Sequence, residues 1–428
     1  MKRGVLALMI AGLVIQIAAL ALSGTRDVFQ FKTWAMTTLD RRLVDAYSYD
    51  LPVAPTGVSP IPDYPPLSVV TLTASARVAA WIEPDVTRDS RLLTVCVKAP
   101  LLVLQIAACW IVWRLAQRTP EPVAVALAFW LNPAFILNGP VLGYLDLLCW
   151  LPGVGAIVAA LVGRAGSAGA LLAVAVLVKP QGLFFVLPVA AALWPRPTSL
   201  ARAALVAATI VAIAFLPFVL ATPGGVWTSM ITNFREDLLS GDALNLWWLV
   251  SAAGFVLTYG SAALGHTFGS PSVSTFIARA GVDPRMWTAA ATIAAALWAF
   301  WRVRGRPTRS SVLALGAFAI NVYFVAAIAV HENHLVYALP LMGLAALSDA
   351  RYRTLYLAAS ALVTFNLLVF QGLGSDFAVL PRTGAFLPLT VLGAIGSGAL
   401  LVAHARAFRE VTAAARAAQG PRSADPAP

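Results

Sequence analysis

Apolar runs near the ~20 residues that cross a bilayer core at 1.5 Å per residue recur along this chain. They lie at about 4–22, 92–113, 121–138, 145–162, 168–178, 183–194, 200–220, 286–301, 310–330, 334–348, 353–371 and 386–404. A backbone amide in hydrocarbon has no water to bond, so each run must close its own hydrogen bonds as a helix. The runs predict an all-α polytopic membrane protein, a bundle of about 12 transmembrane helices. Composition excludes a soluble alternative: 60% of the residues are hydrophobic and 11% charged, against ~25% charged in ordinary soluble domains. Cys96, Cys109 and Cys149 fall inside apolar runs and read as small buried hydrophobes rather than a disulfide framework. The net charge of +11 comes with no nucleic-acid module.

What that charge does carry is orientation. With the amino terminus in the cytoplasm, the connections on that side hold seventeen Lys and Arg against four Asp and Glu, and the rest of the chain holds thirteen against fifteen. The positive-inside rule then expects both termini in the cytoplasm; the first run could be a signal peptide cleaved at Ala19-Leu20-Ala21-Leu22-Ser23, but an uncleaved first helix suits a chain with many later spans, and the setting reads as a bacterial inner (plasma) membrane. Residues 1–416 read as one transmembrane domain and 417–428 as a polar disordered tail. Residues 23–91 read as a long first extracytoplasmic loop, whose amphipathic stretch 67–82 carries Arg77 and suits the interface. Residues 221–285 form a second such region. Within it, 246–265 is apolar enough to span, but counting it would put Arg302 to Arg309 on the wrong side, so it reads as re-entrant.

Ionisable residues at membrane depth are costly, and each is by default a functional hypothesis. All those that stand out map to the extracytoplasmic side. Asp27 follows the first run; a carboxylate there suits a general base for a hydroxyl acceptor, or else a helix cap or a partner for Arg26. His331-Glu332-Asn333-His334 closes an uncharged run and suits metal ligation, phosphate contact, proton transfer or a satisfied polar cluster. Zinc would want three or four ligands, and only His266 and His404 remain to join these histidines. In Lys179-Pro180-Gln181, Lys179 is a lone cation at a helix break, offering a point charge to phosphate or snorkelling to headgroups. Asp146 reads as a ligand for a sugar hydroxyl or as a helix cap. Trp247 and Trp248, just after Asn245, suit stacking on sugar rings or the interfacial aromatic belt.

The order of these motifs resembles the GT-C superfamily of glycosyltransferases that use polyprenyl-phosphate sugars, in particular the dolichyl-phosphate-glucose-dependent glucosyltransferases and related bacterial mannosyltransferases. Asp27 stands where that family has its first-loop acid, followed by Asp63-Tyr64-Pro65-Pro66-Leu67. The segment from Asn132-Pro133 to Asp146 is similar to its NPxxI…GxxGQxD pattern, with Tyr144 where Gln is usual. Then come Lys179-Pro180-Gln181, Phe234-Arg235, Asn245-Leu246-Trp247 and His331-Glu332; the family's HE-x-K lysine is absent, and Asn333 and His334 follow instead.

The resemblance implies a GT-C-like bundle that transfers a hexose, mannose or glucose, from a polyprenyl-phosphate sugar to a hydroxyl of a glycolipid or glycan acceptor outside the cytoplasm. It implies Asp27 as catalytic base and His331 as a contact of the donor phosphate. An inverting transfer would have Lys179, Arg235 and His331 stabilise the departing phosphate, while Asp146, Gln181, Asn245, Trp247, Glu332 and His334 contact the sugars. No metal ligand set and no cofactor is required, although a divalent metal bridging Asp27 to the phosphate stays open. The partners implied are the lipid-linked donor, the acceptor and membrane lipid. The rival expectation is a transporter or flippase for sugar or lipid-linked sugar. Such proteins often repeat their broken helices, and no second copy of the Lys179 break occurs.

Overall fold

The computed structural model describes residues 3–39, 41–48, 61–117, 119–232, 236–374 and 384–418. Among them the chain is all-α, its only strand-like contacts being isolated bridges from Gly241 and Asp242 to His331. In chain order the helices are α1 (Arg3–Ala19), α2 (Arg26–Leu39), α3 (Pro66–Ile82), α4 (Arg91–Ala116), α5 (Pro122–Trp130), α6 (Pro133–Ile136), α7 (Asp146–Leu161), α8 (Ala165–Val178) and α9 (Val186–Leu193). They continue as α10 (Pro197–Ala221), α11 (Pro223–Thr232), α12 (Leu246–Tyr259), α13 (Val273–Ala280), α14 (Pro284–Val303), α15 (Arg309–Ala326), α16 (Ala338–Ala346), α17 (Ala350–Gln371) and α18 (Leu387–Ala417).

Local chemistry sets where these helices begin. Proline opens α3, α5, α10 and α14, at positions where a missing N–H costs nothing. Ser90 Oγ accepts the Leu92 and Leu93 amides to start α4, and Asp349 accepts the Arg351 amide to start α17. Thr308 and Ser311 form a capping box at α15.

Seven helical segments are long and apolar enough to cross a membrane: Arg91–Ala116, Pro122–Val141, Pro197–Ala221, Leu246–Gly265, Arg309–Ala326, Ala350–Gln371 and Gly384–Ala417. They differ in what they face. Only 11% of the apolar window of α10 is buried, with Leu205, Ile213 and Leu220 pointing outward, as a helix surrounded by lipid requires. By contrast 72% of the α15 window is buried, and α15 packs against α14, α16 and α18 at the centre of the bundle.

The bundle has two unlike ends. One is rich in arginine: Arg306 donates to the Arg416 carbonyl at 3.0 Å, Arg416 to the Arg302 carbonyl at 3.2 Å, and Arg351 bridges Asp349 and Glu410. At the other end, the connections after α1, α8, α15 and α17 surround a cavity. The segment Leu246–Gly265 does not carry the chain between them. Ser240 N–H donates to Ser270 Oγ at 2.9 Å and Leu239 N–H to the Pro271 carbonyl at 3.2 Å, so the residues between leave and return at one place. Residues 67–82 lie in α3, whose Leu72, Ala76 and Ala79 are buried toward α2, α4 and α8 while Arg77 is exposed. The last helix, α18, continues to Ala417, well past the apolar run that ends near 404. Most of the expected tail, 419–428, lies outside the described residues.

Candidate active site

Asp27 is placed by a buried lysine that is not itself in the cavity. Lys98, on α4 and fully buried, donates to the Leu22 carbonyl at 2.6 Å, the Val141 carbonyl at 2.7 Å and the Ala19 carbonyl at 3.4 Å. These acceptors end α1 and the π-helical turn Leu137–Val141, so one ammonium holds both segments against α4. Two glycines make room for it. Gly24 and Gly143 have φ of +76° and +79°, and a Cβ on either would come within 3.2 or 3.1 Å of Lys98 Cε and run into Val28. Thr25 then bonds the Leu142 carbonyl through its N–H at 3.1 Å and its hydroxyl at 3.3 Å. The outcome is α2 starting at the cavity edge with Asp27 in its first turn.

The cavity is about 670 Å³, within the range of small-molecule sites. Of the residues the sequence singles out, Asp27, Lys179, Gln181, His331, Glu332 and His334 line it. Arg26, Asp63, Tyr144, Glu236, Asp242 and Gln371 line it too. The Asp27 carboxylate hydrogen-bonds no described residue, although Lys179 and His331 act on it electrostatically. Arg26 is likewise unpaired, an exposed cation at the rim. Phe31, Trp34 and Tyr64 pack together with ring centroids 5.6 Å apart, and Lys179 Nζ stands 5.4 Å from the Tyr64 ring.

His331 sits in a tense loop. Ala329 and Asp242 on either side of its bridges have φ of +52° and +64°, in the left-handed region that costs non-glycine residues of order 1 kcal/mol or more. Gly241 donates to the Val330 carbonyl at 2.9 Å, and a Cβ there would meet His331 Nδ1 at 2.9 Å, so glycine is what allows the ring to lie over this backbone. Nε2 of the same ring is 3.0 Å from Glu236 Oε2.

Three of the expected residues, Asp146, Asn245 and Trp247, lie outside the cavity lining. Asp146 does not reach the cavity: it is wholly buried, with Oδ1 bound to Lys179 Nζ at 2.6 Å and the Tyr337 hydroxyl at 2.7 Å, and Oδ2 bound to Asn333 Nδ2 at 2.6 Å. Lys179 is therefore no lone cation. Its charge is paired inside the protein, and α8 breaks where the backbone at Lys179 turns extended before the 3₁₀ turn Pro180–Phe185. Asn245 is also wholly buried; it caps α12 by accepting the Trp248 amide and donates to the Ala327 carbonyl at 3.3 Å. Trp247 spends its N–H on the Ala326 carbonyl at 2.9 Å and packs on Phe276. Neither is in the cavity lining; both brace the loop that carries His331. Glu332 touches the cavity but is held by the Tyr144 hydroxyl and by Gln371 Nε2 at 2.8 Å. Gln181 Nε2 lies 3.1 Å from His334 Nε2. Arg235 lies outside the described residues.

The electrostatics follow from burial and from charges of both signs at close range. Burial raises the Asp27 carboxyl above the ordinary carboxylate range, with Lys179 and His331 pulling the other way. Burial also takes Asp63 to about 7, and the nearby Asp27 charge adds to the rise. For His331 burial works against the charged form, but the hydrogen bond to Glu236 and its charge prevail and raise it to about 9. Among the described residues no three His, Cys, Asp or Glu side chains converge as a metal site. Asp63 stood in a motif and Arg26 only as a partner for Asp27, while Glu236 escaped the sequence reading of the site, because it lies in a connection whose polarity is unremarkable until folding brings it to the cavity. Comparison with known protein families and with curated proteins finds none that matches this chain.

Proposed function

We propose that the chain is a membrane glycosyltransferase of the GT-C type, transferring a hexose from a polyprenyl-phosphate sugar to an acceptor hydroxyl on the extracytoplasmic side. The observation that carries this reading is the Asp27 carboxylate, open to a small-molecule-sized cavity and free of hydrogen bonds to the described residues, in the same lining as Lys179, His331 and Arg26. In the reaction Asp27 takes the proton of the acceptor hydroxyl as its oxygen attacks the anomeric carbon. The bond from that carbon to the donor phosphate oxygen breaks, and the polyprenyl phosphate leaves with inverted sugar configuration behind it. The cations stabilise the charge that grows on the departing phosphate. An apolar flank favours a lipid-linked donor: Leu183 and Ile293 line the cavity and are 54% and 57% exposed on the bundle surface.

The reading places twelve membrane crossings in the bundle, counting α1, α4, the α5–α6 leg, α7, α8, the leg from Pro180 to Leu193, α10, α14, the α15 leg, the leg from His334 to Ala346, α17 and α18. At 14 residues α8 is ~21 Å long, short of the ~30 Å core, which sets Lys179 below the membrane surface. With the arginine-rich end in the cytoplasm, single cysteines at Thr87 and Ser274 react with an impermeant thiol reagent from outside, and one at Ser310 does not. Labelling of Ser310 from outside would reverse the orientation.

The donor test is incubation of purified protein with a panel of polyprenyl-phosphate sugars, UDP-glucose and GDP-mannose. Consumption of a polyprenyl-phosphate hexose alone is the expected result. Direct use of a nucleotide sugar sinks the lipid-donor mechanism, and sugar movement across proteoliposomes with no bond formed points to a transporter.

A further inference from the structure

The arginine-rich end carries a second recess, about 420 Å³, where α8 and α10 begin. Arg164, Arg202, Ser167, Thr198 and Ser199 line it. Arg196 borders it, with Nη1 at 3.4 Å from where a Cβ on Gly163 would stand. Among the described residues the ion pairs at this end are those of Arg351 with Asp349 and Glu410. Arg164, Arg196 and Arg202 therefore keep uncompensated charge. Nearby, Arg304 stacks on Trp194 and Trp301 at 5.3 and 3.5 Å, and both indoles are exposed.

We infer that this recess binds the phosphodiester headgroup of an anionic phospholipid from the surrounding membrane. Guanidinium groups fit phosphate oxygens in pairs, and the three hydroxyls supply further donors at the same level. A lipid is favoured over a soluble phosphate by what lies beside the recess. The helix that leaves it, α10, is the least buried of the seven long apolar segments, so a bound headgroup has its acyl chains running down Leu205 and Ile213. Exposed Trp194 and Trp301 mark the interfacial depth at which headgroups lie. The inference is independent of what the cavity at the other end does.

The test uses the full-length protein, delipidated in detergent and offered phosphatidylglycerol or phosphatidylcholine, with retained lipid counted by native mass spectrometry. An arginine near a headgroup is worth roughly fivefold in affinity, so two give a preference for phosphatidylglycerol on the order of twentyfold. Arg164→Gln/Arg202→Gln removes most or all of that preference. Equal retention of the two lipids by the unaltered protein overturns the proposal even where the variant does not fold. So does an undiminished preference in a folded variant, and so does soluble glycerophosphoglycerol displacing the lipid at equal concentration, which would make the ligand a free phosphodiester.

Discussion

Asp27→Asn lowers turnover by on the order of 10²–10⁴, the share that a positioned general base contributes, and leaves donor affinity nearly unchanged. The substitution keeps the size of the side chain and removes its charge and basicity, and because Asp27 hydrogen-bonds no described residue the fold loses no hydrogen bond among them. Transfer rate and donor Kd, measured separately, check this. Near-normal transfer with collapsed donor binding makes Asp27 a binding group and moves the base to Asp63, the other raised carboxyl in the lining. The pH profile gives a second reading. The rate climbs through the raised Asp27 value as the base ionises, and falls through about 9 as His331 loses its proton. Glu236→Gln moves the upper limb to lower pH, because burial then acts on His331 without the opposing carboxylate. The sign for stability is the same: the pair contributes fully below the free histidine value of ~6.5 and loses its contribution as pH rises through about 9.

Lys179→Met destabilises the protein by ~3–5 kcal/mol, the usual consequence of leaving one member of a buried ion pair without the other. The orphan is Asp146, wholly buried at 2.6 Å from the lost ammonium. Lys179→Met/Asp146→Asn recovers most of that loss, since the amide oxygen still accepts from Tyr337 or Asn333 and no charge remains buried. Under the proposed transfer activity does not recover with stability, because the cation assigned to the donor phosphate is gone. Thermal unfolding in detergent and transfer rate, taken on both variants, separate the two effects. Recovery of transfer along with stability would reduce Lys179 to a structural role.

How much of this was legible in the sequence varied with the physics behind each feature. Helicity was plain, because membrane depth allows an apolar run little else. The chemistry of Lys179 and Asp146 was misread as two separate ligands, since thirty-three positions part them and only packing reveals the pair. Asn245 and Trp247 stood out for residue type, yet their polar atoms serve backbone carbonyls at Ala326 and Ala327. Lys98 left no trace in the motifs: it sits mid-helix in an apolar run, and its purpose exists only where two distant carbonyl ends meet it.

The two buried lysines also give the protein an order of biogenesis. The Ala19, Leu22 and Val141 carbonyls that accept from Lys98 all come early in the chain, so that ammonium meets them soon after α4 and the following turn have left the ribosome. Lys179 meets Asp146 when α8 emerges, but the partners that complete Asp146, Asn333 and Tyr337, and the last wall of the cavity at Gln371, come much later. At the ~5–20 residues per second of synthesis that interval is on the order of ten seconds or more. During it the nascent chain carries anchored cations but no closed cavity, so an unfinished copy has the charges of the site without its walls.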